Sequence, residues 1–306
     1  MTLPGDAPPS FWTPRILGPF ALVALIWGST WLVIKDQIGS VPASWSVTWR
    51  FTVAAAGVLV LALARRESLR LDRRGHRLAM LLGLLQFVCN FQFVYRAEQH
   101  ITSGIVAVLF ALLLVPNALF ARIFLGQPLT RGFLAGSAIA IAGIALLLLH
   151  EVRTAPVGDE ALLGVLFAFC GILSASSANV LQASETARTR PMLAVLFWAM
   201  AWGVAIDAAF AWTVYGPPRI DMRPGYLLGI AYLGVMGSVV TFPLYFQLVR
   251  ELGPGRAAYN GVLVPVVAML LSTLFEGYRW SALAVAGAVL AIAGLIVALR
   301  ARNPSR

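Results

Sequence analysis

Charged side chains are scarce in this 306-residue chain: Asp, Glu, Lys and Arg make up 12% of it, whereas 59% is hydrophobic. A soluble globular protein carries about 25% charged residues. So few charges cannot cover the surface of a soluble domain of this size, which excludes a soluble enzyme and a disordered chain. Cysteine is also rare, with Cys89 and Cys170 lying inside apolar runs, and this excludes a secreted disulfide scaffold.

Several catalytic and nucleotide-binding motifs are also absent. The single lysine, Lys35, precedes Asp36, so the phosphate-binding motif G-x-x-x-x-G-K-[ST] is missing and ATP cannot drive the protein through it. The motifs H-E-x-x-H and G-x-S-x-G do not occur, and His76, His100 and His150 fall at predicted helix ends. We therefore expect no metal, no cofactor and no enzyme activity, which argues against the rival class of an intramembrane enzyme.

Long apolar runs dominate the chain. A helix that spans a bilayer needs about 20 predominantly apolar residues. Ten runs fit this description, two of them with one internal charge. They are Ile16–Ile34, Ser44–Ala64 around Arg50, Leu78–Tyr95, Ile101–Ala121, Gly132–Leu149, Ala161–Ser184, Pro191–Val214 around Asp207, Pro224–Val249, Ala257–Phe275 and Trp280–Leu299. The sequence predicts an all-α integral membrane protein with ten transmembrane helices and no soluble domain.

The basic residues predict an orientation. With ten spans, 16 of the 23 Lys and Arg residues lie on the side that holds both termini, so both termini should be cytoplasmic. The cluster Arg65–Arg77 belongs to this side, and its simplest role is topology and contact with lipid headgroups. The net charge of +10 therefore indicates a membrane surface rather than nucleic acid. The Arg- and Ala-rich composition favours a GC-rich bacterial genome, hence the bacterial cytoplasmic (inner) membrane.

The chain contains an internal repeat. Residues 136–143, GSAIAIAG, match residues 287–294, GAVLAIAG, and each follows a proline-containing run, with Pro116 in the first and Pro265 in the second. The repeat unit is therefore five helices, over residues 15–150 and again over 160–302. An odd number of spans makes the second copy enter the membrane the opposite way up. Inverted repeats of this kind are typical of transporters that alternate access between two faces.

Several short motifs carry a family resemblance over residues 16–300. Trp27-Gly28-Ser29, Arg50-Phe51, the two prolines and the paired Ala-Gly helix ends occur in an order and spacing that resembles the drug/metabolite transporter superfamily, in its EamA-type branch. The resemblance implies secondary transport, usually outward, of amino acids, metabolites or small drugs through a central cavity. The chain departs from the family pattern at Gln127, where a Glu is usual, and keeps it at Glu276.

Polar and aromatic side chains share faces on several predicted helices. Because such groups avoid lipid, they predict a cavity near the membrane midplane. The candidate substrate-binding residues are Trp27, Thr30, Gln86, Asn90, Ser174, Ser177, Thr241, Tyr245 and Tyr259. For each residue the alternative is an interhelical hydrogen bond, worth about 0.6 kcal/mol. The aromatic residues suit flat, apolar or cationic compounds. The lack of a basic residue near the middle of any run argues against phosphate esters.

Prolines and two charges complete the candidate machinery. Pro116 and Pro265 should kink their helices, and with Pro243 they are candidates for gating, a static kink being the alternative. Asp207, sixteen residues into its run, should lie near the outer interface in a structural role, with proton coupling or substrate contact as the alternative. Arg50 should extend to the outer surface and be structural.

The sequence thus favours a secondary transporter that exports neutral or zwitterionic amino acids, including aromatic ones, and related amphiphilic or cationic compounds. A passive channel or facilitator and an importer remain open alternatives, because saturation and trans-stimulation are properties that sequence does not reveal. The expected partners are a small-molecule substrate and membrane lipids, without nucleic acid. Both a monomer and a homodimer are compatible with the sequence.

Overall fold

The computed structural model of the chain describes residues 13–126, 128–154, 158–245, 248 and 260–302. These residues are helical apart from short connections, and their one β contact is an isolated bridge between Ile38 and Val41. The main helices are α1 Pro14–Gln37, α2 Ala43–Ala64, α3 Arg73–His100, α4 Ser103–Leu125, α5 Arg131–Thr154, α6 Gly158–Gln182, α7 Met192–Tyr215, α8 Pro224–Tyr245, α9 Asn260–Phe275 and α10 Ala282–Arg302. The predicted all-α fold is confirmed.

Most of these helices are long enough to cross a bilayer. Over the residues that the structure describes, eight have the length and hydropathy of membrane spans, and the apolar segments within α5 and α9, Arg131–Leu147 and Asn260–Phe275, are shorter. Large apolar side chains on the outer face of the bundle are exposed, among them Phe124, Leu228 and Val289. Such a surface suits lipid rather than water. The predicted number of ten spans stays a prediction.

The helices pack in pairs that are related by a shift of five. Helix α2 packs on α7, and α5 packs on α10. Helix α3 packs on α7 as α8 packs on α2, and α1 packs on α9 as α6 packs on α4. Replacing each helix by the one five positions later therefore leaves this set of pairs unchanged.

Small residues bring α5 and α10 into backbone contact. A methyl group added to Gly143 would lie 2.3 Å from Ala291 N, and one added to Gly294 would lie 2.2 Å from Ala140 N. Only glycine allows two helices to approach this closely. The glycine rows of the two repeats, Gly136 and Gly143 with Gly287 and Gly294, therefore form close-packing surfaces.

Three helices contain irregular backbone. In α3 the segment Gly83–Cys89 is a π-helix, and in α8 so is Val235–Val240. Helix α4 is interrupted at Leu112 and Leu113, just before Pro116, whose missing N–H removes a hydrogen bond in this turn. The kink at Pro116 stays a prediction, which this irregular turn supports.

The second predicted distortion has no counterpart of this kind. Helix α9 stays helical through Pro265 over its described residues, Asn260–Phe275, so the interruption is not paired between the two halves. Transmembrane helices tolerate proline because local adjustments satisfy the freed carbonyl. Pro243 lies in α8 three residues after the end of the π-helix, in backbone that is again α-helical. Gating by any of these prolines remains a prediction.

Candidate functional site

Three candidate side chains meet between α1 and α8. Trp27 Nε1 donates to Thr241 Oγ1 at 2.9 Å and to the carbonyl oxygen of Gly237 at 3.3 Å. The Trp27 ring centroid lies 5.1 Å from that of Tyr245 and 6.0 Å from that of Phe242. We call Trp27, Thr241, Phe242 and Tyr245 the aromatic group. The π-helix that precedes Thr241 positions the Gly237 carbonyl toward α1, which is a use typical of π-bulges at functional sites.

Thr30 extends the aromatic group by one turn of α1. Its Oγ1 donates to the Trp27 carbonyl oxygen at 2.7 Å, and its methyl group would be 3.1 Å from a Cβ on Gly237. The hydroxyl is therefore occupied by its own helix, and the side chain contacts α8 through its methyl group. The ring of its neighbour Trp31 packs against that of Phe110 in α4, tilted by 57°, with ring centroids 5.1 Å apart.

A second set of candidates lies between α3 and α6. Asn90 is buried, and Asn90 Oδ1 and Gln86 Oε1 have no hydrogen-bond partner among the described residues. Ser174 Oγ donates across the interface to the Leu85 carbonyl oxygen at 2.8 Å, whereas Ser177 Oγ donates to Leu173 within its own helix. We call Gln86, Asn90 and Ser174 the amide group.

Arg50 of α2 lies close to α3 and to the π-helix of α8. Its guanidinium carbon is 4.3 Å from the ring centroid of Phe91 and 5.2 Å from that of Phe51. A Cβ on Gly237 would lie 3.7 Å from Arg50 Nη2. Phe91 directly follows Asn90 in α3, and the Gly237 carbonyl accepts Trp27 Nε1. The guanidinium group therefore contacts the residue that follows Asn90 in α3 and lies near Gly237, the residue of α8 that accepts a hydrogen bond from Trp27.

The predicted location of Arg50 was wrong. The side chain is only 4% exposed and does not reach the surface. The physical reason is that α2 begins at Ala43, which places Arg50 two turns inside the helix on the face that packs against α3. There two aromatic rings offset part of the cost of burying the charge. The argument that no basic residue lies inside the bundle fails with it.

Asp207 of α7 is more deeply buried than expected. It is 1% exposed and does not lie at an interface with solvent. Its Oδ2 accepts from Thr48 Oγ1 at 2.9 Å, and its Oδ1 accepts from Gln92 Nε2 at 2.5 Å. Gln92 Oε1 in turn accepts from Ser44 Oγ at 3.0 Å. Both carboxylate oxygens are engaged, which is the arrangement of a structural link between α2, α3 and α7, and proton coupling through Asp207 remains a prediction.

Glu98 is an intramembrane acid that sequence reasoning missed. It is fully buried, and neither carboxylate oxygen has a hydrogen-bond partner among the described residues. Lys35 Nζ donates to the backbone oxygen of Glu98 and, at 3.2 Å, to that of Ile101. The apolar run ends at Tyr95, but no Gly or Pro follows before His100. That lack of helix breakers was the available signal that α3 continues.

Polar links close the bundle at the end where α3 ends and α4 begins. Ser103 Oγ donates to Glu276 Oε2 at 2.5 Å, and Ser103 N lies 3.3 Å from Glu276 Oε1. The Glu276 carboxylate thus caps the first turn of α4 from the far end of α9. Tyr95 Oη donates to Gln37 Oε1 at 2.8 Å, which joins α3 to α1.

An exposed ion pair lies at the opposite end. Arg190 donates from Nε and Nη2 to the two carboxylate oxygens of Asp72, at 2.9 and 2.8 Å. Asp72 also caps α3 by accepting from Gly75 N at 2.8 Å. The hydrogen bonds from Arg190, followed by the bond from Gly75, lower the pKa of Asp72 below its usual range. This pair connects the α2–α3 loop to the start of α7.

Other features fall outside these groups. An apolar cavity of about 300 Å³ lies between α4, α9 and α10, and of the candidates it contains only Pro265. In the described ranges no group of three His, Cys, Asp or Glu side chains could hold a metal ion. Gln127 and Tyr259 lie outside the described residues.

Comparison with known proteins identifies a family that both halves of the chain match. Residues 17–149 and 162–300 both match the model of the EamA-like transporter family. The inner membrane transporter YedA of Escherichia coli strain K12, named as uncharacterized, is 29% identical over 88% of this chain and 87% of its own. A probable amino-acid metabolite efflux pump of the same strain is 25% identical over 90% of this chain and 92% of its own.

A solved structure supports the fold. One crystal structure covers 94% of this chain and 98% of its own, with a TM-score of 0.69 and 20% sequence identity. At that identity the likeness concerns the arrangement of helices alone. The two family matches together span nearly the whole chain, and this confirms the resemblance drawn from Trp27-Gly28-Ser29 and Arg50-Phe51.

Proposed function

Since the chain belongs to the EamA-like transporter family, we propose that this multi-pass membrane transporter is a secondary carrier that exports small neutral or zwitterionic metabolites. Amino acids, including aromatic ones, are the favoured substrates, together with related amphiphilic and cationic compounds. A relative named as a probable amino-acid metabolite efflux pump, matched over 90% of this chain, supports that choice. Both termini face the cytoplasm in the bacterial inner membrane, as the distribution of arginine indicates.

One observation carries the proposal: polar and aromatic side chains from both halves of the chain meet between α1 and α8, where Gly237 lies near the buried Arg50. Trp27 comes from the first half and Thr241 and Tyr245 come from the second. Carriers of this kind bind their substrate between repeats near the bilayer midplane. We assign the substrate contacts to the aromatic group, to Thr30 and to the amide group, with Ser177 and Tyr259 as further candidates.

We further propose ten spans, arranged as two inverted five-helix repeats over residues 15–150 and 160–302. The pairs of packed helices, unchanged when each helix is exchanged for the one five later, support this arrangement. So do the π-helices in α3 and α8, which are corresponding helices of the two halves. Alternating access then consists of one half rocking against the other, and the polar links around Glu276 hold one end closed.

Saturable transport of amino acids by the purified protein in proteoliposomes tests this function. The initial rate of efflux should saturate with substrate concentration. Trp27→Ala should raise the half-saturating concentration about 2- to 10-fold for an aromatic substrate, because one ring contact is worth about 0.5–1.5 kcal/mol. Trp212→Ala is the matched control, since Trp212 lies exposed on α7 and its loss should change nothing.

Two outcomes would contradict the proposal. A rate that rises linearly with concentration and never saturates indicates a channel or facilitator. Identical substrate profiles and rates in wild type, Trp27→Ala and Tyr245→Ala show that the site lies elsewhere, even if transport itself is saturable.

A further inference from the structure

The buried guanidinium group of Arg50 interacts electrostatically with Tyr95 and Glu98, but most of its N–H donors have no partner among the described residues. Arg50 is only 4% exposed, and its Nε and Nη1 have no hydrogen-bond partner among the described residues. These two nitrogens carry three of the five N–H donors of a guanidinium group. In the described ranges no Asp or Glu side chain comes within ion-pair distance of it. We propose that Arg50 binds the carboxylate group of the transported substrate, a proposal that rests on the proposed function.

The neighbouring basic side chains are engaged, which sets Arg50 apart. Lys35 Nζ donates to the backbone oxygens of Glu98 and Ile101. Arg96 Nη1 donates to the side-chain and backbone oxygens of Gln92. A charge buried in a transmembrane bundle is costly unless a partner satisfies it. The unpaired N–H donors of Arg50 are therefore best explained if the substrate itself supplies their hydrogen-bond acceptor.

The surroundings of Arg50 suit a carboxylate and restrict its orientation. The rings of Phe91 and Phe51 flank the guanidinium group at 4.3 and 5.2 Å, so its rotation is limited before any ligand binds. Charge-assisted hydrogen bonds from arginine to carboxylate are about twice as strong as neutral ones. This pre-arrangement lowers the entropy that binding costs.

The position of Arg50 also directs the rest of the substrate. Its Nη2 lies near Gly237, whose carbonyl oxygen accepts from Trp27 Nε1. A carboxylate held at Arg50 therefore leaves the side chain of an amino acid near the aromatic group. For the same reason, substrates with a carboxylate group should be transported in preference to organic cations that lack an acidic group. The proposed substrates are then limited to compounds with a carboxylate.

The ratio of transport rates for an aromatic amino acid and its carboxamide tests the proposal. The two compounds have nearly the same size, and the carboxamide lacks the negative charge. Wild type should prefer the amino acid, and Arg50→Gln should reduce that preference at least about 30-fold, the lower end of the effect of truncating one partner of a buried charge pair. Arg50→Lys keeps the charge and should retain part of the preference. The ratio is independent of how much protein folds, so a loss of yield cannot imitate the result.

Arg65→Gln is the matched control, because Arg65 is exposed at the other end of the same helix. Its ratio should equal that of wild type. An unchanged ratio in Arg50→Gln overturns the assignment. Equal transport of amino acid and carboxamide by wild type also overturns it but leaves the proposed function standing. Transport of neither compound, nor of any other amino acid, by wild type removes the proposed function itself.

Discussion

Replacing Gly143 by alanine probes the interface on which the packing of α5 and α10 depends. The added Cβ would lie 2.3 Å from Ala291 N and 2.7 Å from the Gly287 carbonyl oxygen. Both are backbone atoms, so no side chain can rotate out of the way. The two helices must separate by roughly 1 Å to restore ordinary contact distances, and every neighbouring contact along the seam weakens.

The cost of this separation can be estimated. Inserting one methyl group into a well-packed core costs typically about 1–3 kcal/mol, and the backbone clash here favours the upper half of that range. The better helix propensity of alanine offsets at most about 1 kcal/mol. A net loss of roughly 2 kcal/mol lowers the melting temperature of a large domain by about 4–8 °C.

Thermal unfolding of the purified protein in detergent measures this effect. Gly18→Ala provides the matched control, because Gly18 lies in α1 and a Cβ there meets nothing within 4 Å. We expect Gly18→Ala to keep the wild-type melting temperature or raise it slightly. Equal melting temperatures for Gly143→Ala and Gly18→Ala would refute the close packing of α5 on α10.

Three further predictions concern the polar links. Arg190 lowers the pKa of Asp72 in the folded protein. The stability that the Asp72 carboxylate contributes is therefore present above its unfolded pKa of about 3.9 and is lost as pH falls below that value. The melting temperature measured between pH 7 and pH 3 should show this loss, and the Asp72→Asn variant should lose less stability over the same range. Glu276→Gln removes the charge that caps α4 at Ser103. The rate of hydrogen exchange at the N-terminus of α4 should rise about fivefold, because the charge-assisted hydrogen bond weakens by roughly 1 kcal/mol. An unchanged exchange rate would refute the link. Asp207→Asn should lower the melting temperature, because both carboxylate oxygens of Asp207 accept hydrogen bonds. Any pH dependence of transport should stay as in wild type. Loss of that pH dependence would instead assign proton coupling to Asp207.

The sequence predicted the features that follow from helical periodicity and composition. Apolar runs predicted the all-α fold, and the matching residues 136–143 and 287–294 predicted the repeat, although not that these two segments pack on each other. The sequence also named Trp27, Thr241 and Tyr245 as candidates for one shared cavity, and the structure brings these three side chains into contact. Each lies on a polar or aromatic face, and such faces turn away from lipid.

The remaining features depend on where helices begin and on what packs against them. Arg50 is buried because α2 starts at Ala43, a boundary that an apolar run does not define to within a turn. Glu98 was assigned to a loop because hydropathy falls at Arg96, although the helix continues to His100. The π-helices in α3 and α8 were not predicted, because hydrophobic periodicity and composition do not distinguish a π-helix from an α-helix. Proline alone also did not predict that α4 is interrupted while α9 stays helical through Pro265.

Counterflow in proteoliposomes tests the central claim most directly. Vesicles preloaded with an unlabelled aromatic or aliphatic amino acid should accumulate the labelled compound transiently, and the exchange should saturate. Trp27→Ala should weaken exchange of the aromatic substrate, which places α1 at the transport site. If no exchange occurs across a broad panel of amino acids and organic cations, the account of this chain as a carrier of zwitterionic metabolites is contradicted.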